Sequence, residues 1–209
     1  MRFETWNPLA GACPHKCSYC YAHKYKKYPS SLAKYSGPLR LDEAAMEKKL
    51  GGGKFYFVCS MNDLFAAQVP REFIVEILAK TARRPQNEYL FHTKNPARLR
   101  EFEGLYPYYS RFGVTLETDS YPPGFETAAP TPPERAQAFA LFAHPRKSVN
   151  IEPVLDFDLE KFLRLLLLAA PQSVHIGRDS KNNKLPEPSD AKLRELKKRL
   201  GEYGIVYGD

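Results

Sequence analysis

Short apolar runs alternate with longer amphipathic segments along most of the chain. Runs of strand length occupy residues 3–9, 54–60, 88–92, 111–116, 147–154 and 173–176, and a final short strand is expected at 204–207. Segments with apolar residues three and four positions apart occupy residues 41–50, 70–82, 96–105, 133–142, 159–169 and 189–200. This alternation predicts a parallel sheet wrapped by helices.

The number of units narrows the fold class. Six strand–helix units are too few for an eight-stranded barrel, so the pattern favours an α/β fold with a partial (β/α)6 TIM-like barrel in a single domain over residues 1–209. The alternative is an open, doubly wound six-stranded sheet. That alternative is disfavoured because no G-x-G-x-x-G sequence follows the first predicted strand.

The composition is that of an ordinary globular protein. The 209 residues are 43% hydrophobic and 26% charged, which suits one substantial core. The apolar runs stay far below the roughly 20 residues of a membrane span, and residues 1–6 lack the apolar region of a signal peptide. We therefore expect a cytoplasmic protein without a membrane partner, whose thiols stay reduced.

Three of the four cysteines fall within eight residues. Cys13, Cys17 and Cys20 have the spacing C-x3-C-x2-C, whereas Cys59 ends an apolar run and is expected to be a small buried side chain. Crowded thiols in a reducing compartment favour metal binding over disulfides.

Three interpretations of this loop remain open at this point. The spacing matches one face of a helix, which would simply be buried. A structural zinc ion would need a fourth ligand, for which only His15 or His23 is nearby. A 4Fe–4S cluster held by three cysteines would leave its fourth iron open to a ligand.

Polar residues follow every predicted strand. In parallel α/β folds the carboxyl ends of the strands meet at one rim, where ligands bind. Loops are polar in any protein, so each residue alone would equally be a cap or a surface group. The residues that would converge there with the cysteine loop are Ser60, Asn62, Asp63, His92, Thr93, Lys94, Asn95, Thr115, Glu117, Thr118, Asp119, Asn150, Glu152, Arg178, Asp179 and Lys181.

The net charge of +7 is concentrated near the cysteines. Residues 5–41 contain no aspartate or glutamate, and basic side chains alternate there with tyrosines. Segment 16–40 could hold a phosphate backbone and stack bases, or it could be a solvated basic face. Its members are Lys16, Lys24, Lys26, Lys27, Lys34 and Arg40, with Tyr19, Tyr21, Tyr25, Tyr28 and Tyr35.

The C-x3-C-x2-C loop, with Tyr19 just before the last cysteine, resembles the signature of the radical SAM superfamily. The predicted partial barrel is similar to the superfamily's fold over essentially the whole chain. Residues 5–8 (T-W-N-P) and 60–65 (S-M-N-D-L-F) resemble a small, partly phage-associated group, to which spore photoproduct lyase-like proteins are more distantly similar.

The resemblance implies a role for each matching residue. Cys13, Cys17 and Cys20 would ligate a 4Fe–4S cluster, and S-adenosylmethionine would chelate the fourth iron. Tyr19 would contact the adenine. Asn62 or Asp63 would bind the methionine amino group, in place of a G-G-E-like stretch. Thr115 and Glu117 would contact the ribose or the methionine carboxylate. Asn150 and Glu152 would contact S-adenosylmethionine or the substrate.

The resemblance also implies an activity. Reductive cleavage of S-adenosylmethionine would give a 5′-deoxyadenosyl radical that abstracts hydrogen from a substrate, with flavodoxin or ferredoxin as electron donor. The rival hypothesis is a zinc-stabilised nucleic-acid-binding module without catalysis, using the same basic segment. The proline-rich loop 119–133 is the candidate lid or substrate contact.

Overall fold

The computed structural model describes residues 2–25 and 27–208. The strands are β1 Arg2–Trp6, β2 Leu9–Ala10, β3 Arg40–Leu41, β4 Lys54–Val58, β5 Glu88–Thr93, β6 Ser110–Thr115, β7 Lys147–Ile151, β8 Ser173–Ile176 and β9 Val206–Gly208. The α-helices are α1 Ala22–Tyr25, α2 Pro29–Lys34, α3 Glu43–Glu47, α4 Arg71–Ala82, α5 Pro132–Ala140, α6 Leu159–Ala169 and α7 Asp190–Glu202, and Pro96–Phe102 forms a 3-10 helix.

Seven parallel strands form the main sheet in the order β1-β4-β5-β6-β7-β8-β9. β2 and β3 pair separately as a two-residue antiparallel ladder. β1 and β9 are the two edges, so the sheet is open, consistent with the predicted partial α/β barrel. The strand order follows the chain, as expected when each helix carries the chain to the neighbouring position.

The two faces of the sheet have different environments. Alternate side chains on one face pack with helices α4 to α7 in one continuous core, which makes the chain a single folded unit. That face carries Tyr56, Val58, Tyr89, Phe91, Phe112, Val114, Val149, Ile151, Val174 and Ile176. The side chains between them are only half-buried in β5 and β7. A doubly wound sheet has helices on both faces, so this one-sided packing favours the barrel-like arrangement.

Several predicted helix and strand boundaries agree with the structure, and capping residues mark the starts of the helices in the sequence. Helix α6 and strand β8 have the predicted bounds, and Asp158 caps α6 by accepting from the Lys161 backbone N–H. Helix α5 begins with a capping box in which Thr131 and Glu134 satisfy each other's backbone groups.

Other boundaries differ for physical reasons. The predicted strand 3–9 ends at Trp6, because Pro8 has no N–H to continue the ladder, and the chain resumes as β2. The predicted helix 96–105 is a 3-10 helix, and the predicted helix 41–50 contracts to α3. Helices α1 and α2 and strand β3 were not predicted, because segment 16–40 lacks a continuous apolar period.

Among the described residues, the helices are too short or too polar to cross a membrane.

Candidate functional site

A cavity of about 970 Å³ opens at the carboxyl ends of the strands and continues along the half-buried face of the sheet. The cysteine loop and the strand-end residues meet there. Of the residues singled out from the sequence, Cys13, Cys17, Tyr19, Cys20, Ser60, Asn62, Asp63, His92, Thr93, Lys94, Thr115, Asn150, Glu152, Arg178, Asp179 and Lys181 line it. The structure thus brings the cysteine loop and most of the strand-end residues to one rim. The exceptions are buried outside the cavity lining: Asn95, Glu117, Thr118 and Asp119.

Backbone hydrogen bonds hold the cysteine loop on both sides. On one side, the Gly11 N–H donates to the Lys34 carbonyl at 2.8 Å. On the other, the Ser18 N–H donates to the Glu126 carbonyl at 3.0 Å, and the Ala128 N–H donates to the His15 carbonyl at 2.7 Å. The loop is therefore fixed between helix α2 and the proline-rich segment, which gives that segment a structural role.

Gly11 is required at the start of the loop. Its φ of +97° lies in the left-handed region, and a Cβ there would lie 2.3 Å from the Pro38 carbonyl oxygen. Any side chain would push the loop away from its anchor.

The three loop cysteines lie on the cavity wall and are not disulfide-bonded. Cys17 is buried and its sulfur lies 3.3 Å from the Thr127 hydroxyl, while Cys13 and Cys20 are partly exposed. In the described part of the chain, no three His, Cys, Asp or Glu side chains meet at a point suited to one metal ion.

Asp63 connects the loop to the end of β5. Its carboxylate accepts from the Thr93 hydroxyl at 2.8 Å, the Lys94 backbone N–H at 2.7 Å and the Phe65 backbone N–H at 2.9 Å. His15 Nε2 lies 2.8 Å from Asp63 Oδ2, the same oxygen that accepts from the Lys94 N–H, and both His15 and Asp63 are buried. Although burial alone would raise the pKa of Asp63, these hydrogen bonds lower it. Asp63 is therefore a fixed anchor for the loop.

Asn62 orients the same turn. Its side-chain N–H donates to the Gly11 carbonyl at 3.1 Å, and its side-chain oxygen accepts from the Asp63 N–H at 3.0 Å. Asn62 is buried to 7% exposure, yet it lines the cavity. Its amide is therefore held in one orientation facing a ligand space.

Glu117 is the centre of a buried ionic network. Its carboxylate accepts from Arg135 Nη1 at 2.8 Å, Lys94 Nζ at 2.5 Å, the Tyr121 hydroxyl at 3.1 Å and the Tyr19 hydroxyl. Glu117 and Arg135 are fully buried. The Lys94 ammonium also lies 4.3 Å from the centre of the Tyr19 ring. The network fixes the ring of the residue that precedes Cys20.

The charges in this network determine the ionisation of Glu117. Burial alone would raise the pKa of the carboxyl, but the Lys94 and Arg135 cations lower it to about 2. The Glu117 carboxylate raises the pKa of Arg135 in return, against the effect of burial. Glu117 is therefore ionised at neutral pH.

His92 lies lower on the cavity wall. Its Nε2 is 2.7 Å from the Thr115 hydroxyl, and burial lowers the pKa of His92 to about 4, so the ring is neutral at pH 7. A Cβ on Gly113 would lie 2.3 Å from His92 Nδ1. The glycine in the middle of β6 therefore leaves the space that the imidazole fills.

The opposite rim, above β7 and β8, is more open. Glu152 and His175 line the cavity 3.5 Å apart with 42% and 48% of their side chains exposed. Arg178 pairs outward with Glu187 and Asp190. Asn150 sits on the wall between the two rims, opposite His175 in the register.

Segment 16–40 has two kinds of residue. Tyr21, Tyr25 and Tyr28 are exposed, as a contact surface requires. Arg40 instead donates to backbone carbonyls around helix α2, and Lys34 pairs with Asp42. Lys26 lies outside the described residues.

Sequence reasoning did not single out Arg135, Tyr121 or His175. The capping box at Thr131 indicated where helix α5 begins, but no sequence pattern pairs a helical arginine with a distant glutamate. His175 could have been found from the alternation in β8, where it lies on the less buried face.

A model of the family described as "Protein of unknown function (DUF5131)" matches residues 2–124. No curated protein sequence matches the chain. Structures of spore photoproduct lyase share its fold. A mutant lyase with bound AdoMet and dinucleoside spore photoproduct gives a TM-score of 0.59 at 12% identity, covering 93% of this chain and 60% of the lyase. Another lyase mutant gives 0.56 at 11% identity, covering 96% and 74%. The chain thus spans about 60% of the length of the first lyase.

Proposed function

This chain belongs to the family described as "Protein of unknown function (DUF5131)", and we propose that it is a radical SAM enzyme with a 4Fe–4S cluster. The observation that carries the proposal is that Cys13, Cys17 and Cys20 line the same large cavity as the polar ends of five strands. A cofactor held by the loop would face those groups directly.

The shared fold supports the proposed class of enzyme but does not identify its reaction. Spore photoproduct lyase is a radical SAM enzyme, and the structure with bound AdoMet shares this fold at 12% identity. At that identity the likeness concerns the fold alone, so the assignment of chemistry depends on the residues of this chain.

The donor set fits a 4Fe–4S cluster. Thiolates are the ligands of such clusters, and each cysteine takes a separate iron. Three cysteines that line one cavity can supply three such ligands, whereas a structural zinc ion needs four. His15, one of the two histidines near the loop in the sequence, has its Nε2 against Asp63.

The cofactors supply the difficult chemistry. When bound, the reduced cluster provides one electron for cleavage of the sulfonium of S-adenosylmethionine, which yields the 5′-deoxyadenosyl radical that takes hydrogen from a substrate. The protein itself would bind and orient the cofactors and the substrate, and it would exclude water from the cavity.

The cavity-lining side chains divide into contacts and supports. Asn62, Thr115, Asn150 and Glu152 face the cavity and are assigned to S-adenosylmethionine, with Glu152 also within reach of a substrate. Their amide, hydroxyl and carboxylate groups suit the polar methionine and ribose parts.

Asp63 and Glu117 are assigned a positioning role instead. The carboxylates of both residues already accept hydrogen bonds from protein groups. Asp63 therefore holds the cysteine loop through His15, and Glu117 holds the Tyr19 ring. Tyr19 remains the proposed adenine contact. An electron donor such as flavodoxin or ferredoxin would approach from the solvent side of the loop.

Anaerobic turnover tests the proposal. After reconstitution with iron and sulfide, the protein with dithionite and S-adenosylmethionine should form methionine and 5′-deoxyadenosine, while Cys20→Ala should form neither. A colourless protein that retains one zinc and produces no 5′-deoxyadenosine would contradict the proposal and favour the zinc-stabilised alternative.

A further inference from the structure

The cavity continues below the strand ends as a second compartment, which we call the floor. It is lined by side chains of the half-buried face of the sheet: Phe3, Phe57, Leu90, Ser148, Ser173 and His175. Pockets of about 300–1,000 Å³ commonly hold one drug-sized ligand, and this cavity is at the top of that range. There is room for a substrate beside S-adenosylmethionine.

One wall of the floor is aromatic and aliphatic. Phe57 and Leu90 are register partners on β4 and β5, so they stand side by side. The His92 ring meets Phe57 edge to face with centroids 6.1 Å apart. At the edge strand, Phe3 is 55% exposed although it is fully apolar. This wall offers an apolar surface that a planar group would cover.

The facing wall carries short hydrogen-bonding groups. Ser148 and Ser173 are register partners on β7 and β8, and His175 stands one level higher beside Asn150. The Ser148 hydroxyl donates only a long bond of 3.4 Å to the Phe112 carbonyl. Hydroxyl oxygens can both donate and accept, so this wall suits the edge of a heterocycle.

Gly113 separates the two walls. It is the register partner of both His92 and Ser148, and its missing side chain leaves the space that the His92 ring fills. His92 therefore presents a neutral ring between the two walls. The centre of the floor therefore has no fixed charge from these residues, which disfavours an ionic group there.

The rim above the floor has the opposite character. Tyr21 and Tyr25 are exposed on the cavity side, with ring centroids 6.2 Å apart. The Lys24 ammonium donates to the Lys181 carbonyl beside them. A basic, tyrosine-bearing entrance favours a ligand that carries phosphate outside its planar part.

We propose that the floor binds a nucleobase, stacked on the Phe57–Leu90 wall with its polar edge toward Ser148 and Ser173. Stacking on an aromatic side chain combined with hydrogen bonds to the base edge is the general way in which proteins read an extruded base. As a substrate site this inference rests on the proposed function, but as a binding site it rests on the floor alone.

Equilibrium dialysis of the purified full-length chain with adenosine, guanosine, cytidine and thymidine tests the inference. At least one nucleoside should bind, and ribose 5-phosphate and N-acetyltyrosinamide should bind more weakly. Phe57→Ala should raise the Kd about tenfold or more because stacking is lost. Ser173→Ala should raise it about two- to tenfold. Tyr108→Ala, which removes an aromatic ring 80% exposed outside the cavity lining, is the matched control and should leave the Kd unchanged.

Ser173→Ala keeps the test decisive if Phe57→Ala is unstable, since it removes one oxygen atom from a partly buried position. Equal Kd values in the wild type and Ser173→Ala, no nucleoside binding, or preferred binding of N-acetyltyrosinamide would overturn the inference. The response of the cluster to S-adenosylmethionine is measured separately. If that response is absent while nucleoside binding depends on Ser173, the proposed function fails and the base site stands.

Discussion

The two rims of the cavity are built in different ways. The rim that carries the cysteine loop is supported by buried charged and hydrogen-bonded groups: Glu117 forms ion pairs with Arg135 and Lys94, and the Asp63 carboxylate lies in hydrogen-bond contact with His15. The rim above β7 and β8 has the half-exposed pair of Glu152 and His175. The first rim is fixed at many points, whereas the second is accessible to solvent.

This difference indicates a division of labour. A buried ion pair holds its partners in one geometry, because moving either ion leaves an uncompensated charge. That property suits a site for a cofactor whose position must not vary. A half-exposed pair contributes little to stability, so its side chains can exchange partners when a ligand enters. That property suits the part of the cavity where a substrate would enter. Four predictions test this contrast.

The largest effect is expected in the cysteine loop. Cys13→Ala, Cys17→Ala and Cys20→Ala should each lose nearly all bound iron after anaerobic reconstitution, because each would remove one proposed cluster ligand. Cys59→Ala is the matched control: this buried cysteine also lines the cavity but lies outside the loop, so the variant should keep the iron. Iron and sulfide analysis measures the effect. Equal iron loss in all four variants would contradict it.

The next effect concerns the stability of the fixed rim. Glu117→Gln removes the charge that compensates Arg135 and Lys94, so the free energy of unfolding should fall by about 3–5 kcal/mol. Urea denaturation measures the change. Glu195→Gln is the control: its exposed pair with Lys198, at 4.0 Å, should contribute about 0–1 kcal/mol. Similar changes in both variants would mean that the network is not a support.

The same carboxyl predicts a smaller, pH-dependent difference. The pKa of Glu117 is held at about 2 in the folded protein against an ordinary value of 4.5. Its stabilising contribution is therefore complete above about pH 4.5 and is lost as the pH falls toward 2. Between these values the wild type should lose more unfolding free energy than Glu117→Gln. If the unfolding free energies of the two proteins changed with pH in parallel, the pKa of Glu117 would not be lowered in the folded protein.

The smallest effect is expected on the open rim. Glu152→Gln should change the free energy of unfolding by less than about 1 kcal/mol, since the Glu152–His175 pair is largely exposed. The variant should retain its iron but show a higher KM for substrate or S-adenosylmethionine. A destabilisation as large as that of Glu117→Gln would remove the contrast between the rims.

The sequence was sufficient for the outline of this arrangement. Apolar periodicity predicted the parallel sheet, and parallel strand ends predicted that Asn62, Thr115 and Asn150 would meet the cysteine loop. Periodicity also located helix α6, where Asp158 marks the first turn. These features depend on local signals.

The supports of the fixed rim could not be predicted in the same way. Arg135 and Glu117 are 18 residues apart, and His15 and Asp63 are 48 apart, so their pairing exists only once the fold brings them together. A buried charge has no sequence signature that separates it from a surface charge. The 3-10 conformation of residues 96–102 is likewise a tertiary effect, because the apolar pattern there suits an α-helix.

Electron paramagnetic resonance of the reduced, reconstituted protein tests the central claim most directly. The account predicts the signal of a 4Fe–4S cluster whose line shape changes when S-adenosylmethionine is added, because the fourth iron is open to a ligand. The absence of a 4Fe–4S signal, or a signal indifferent to S-adenosylmethionine, would contradict it.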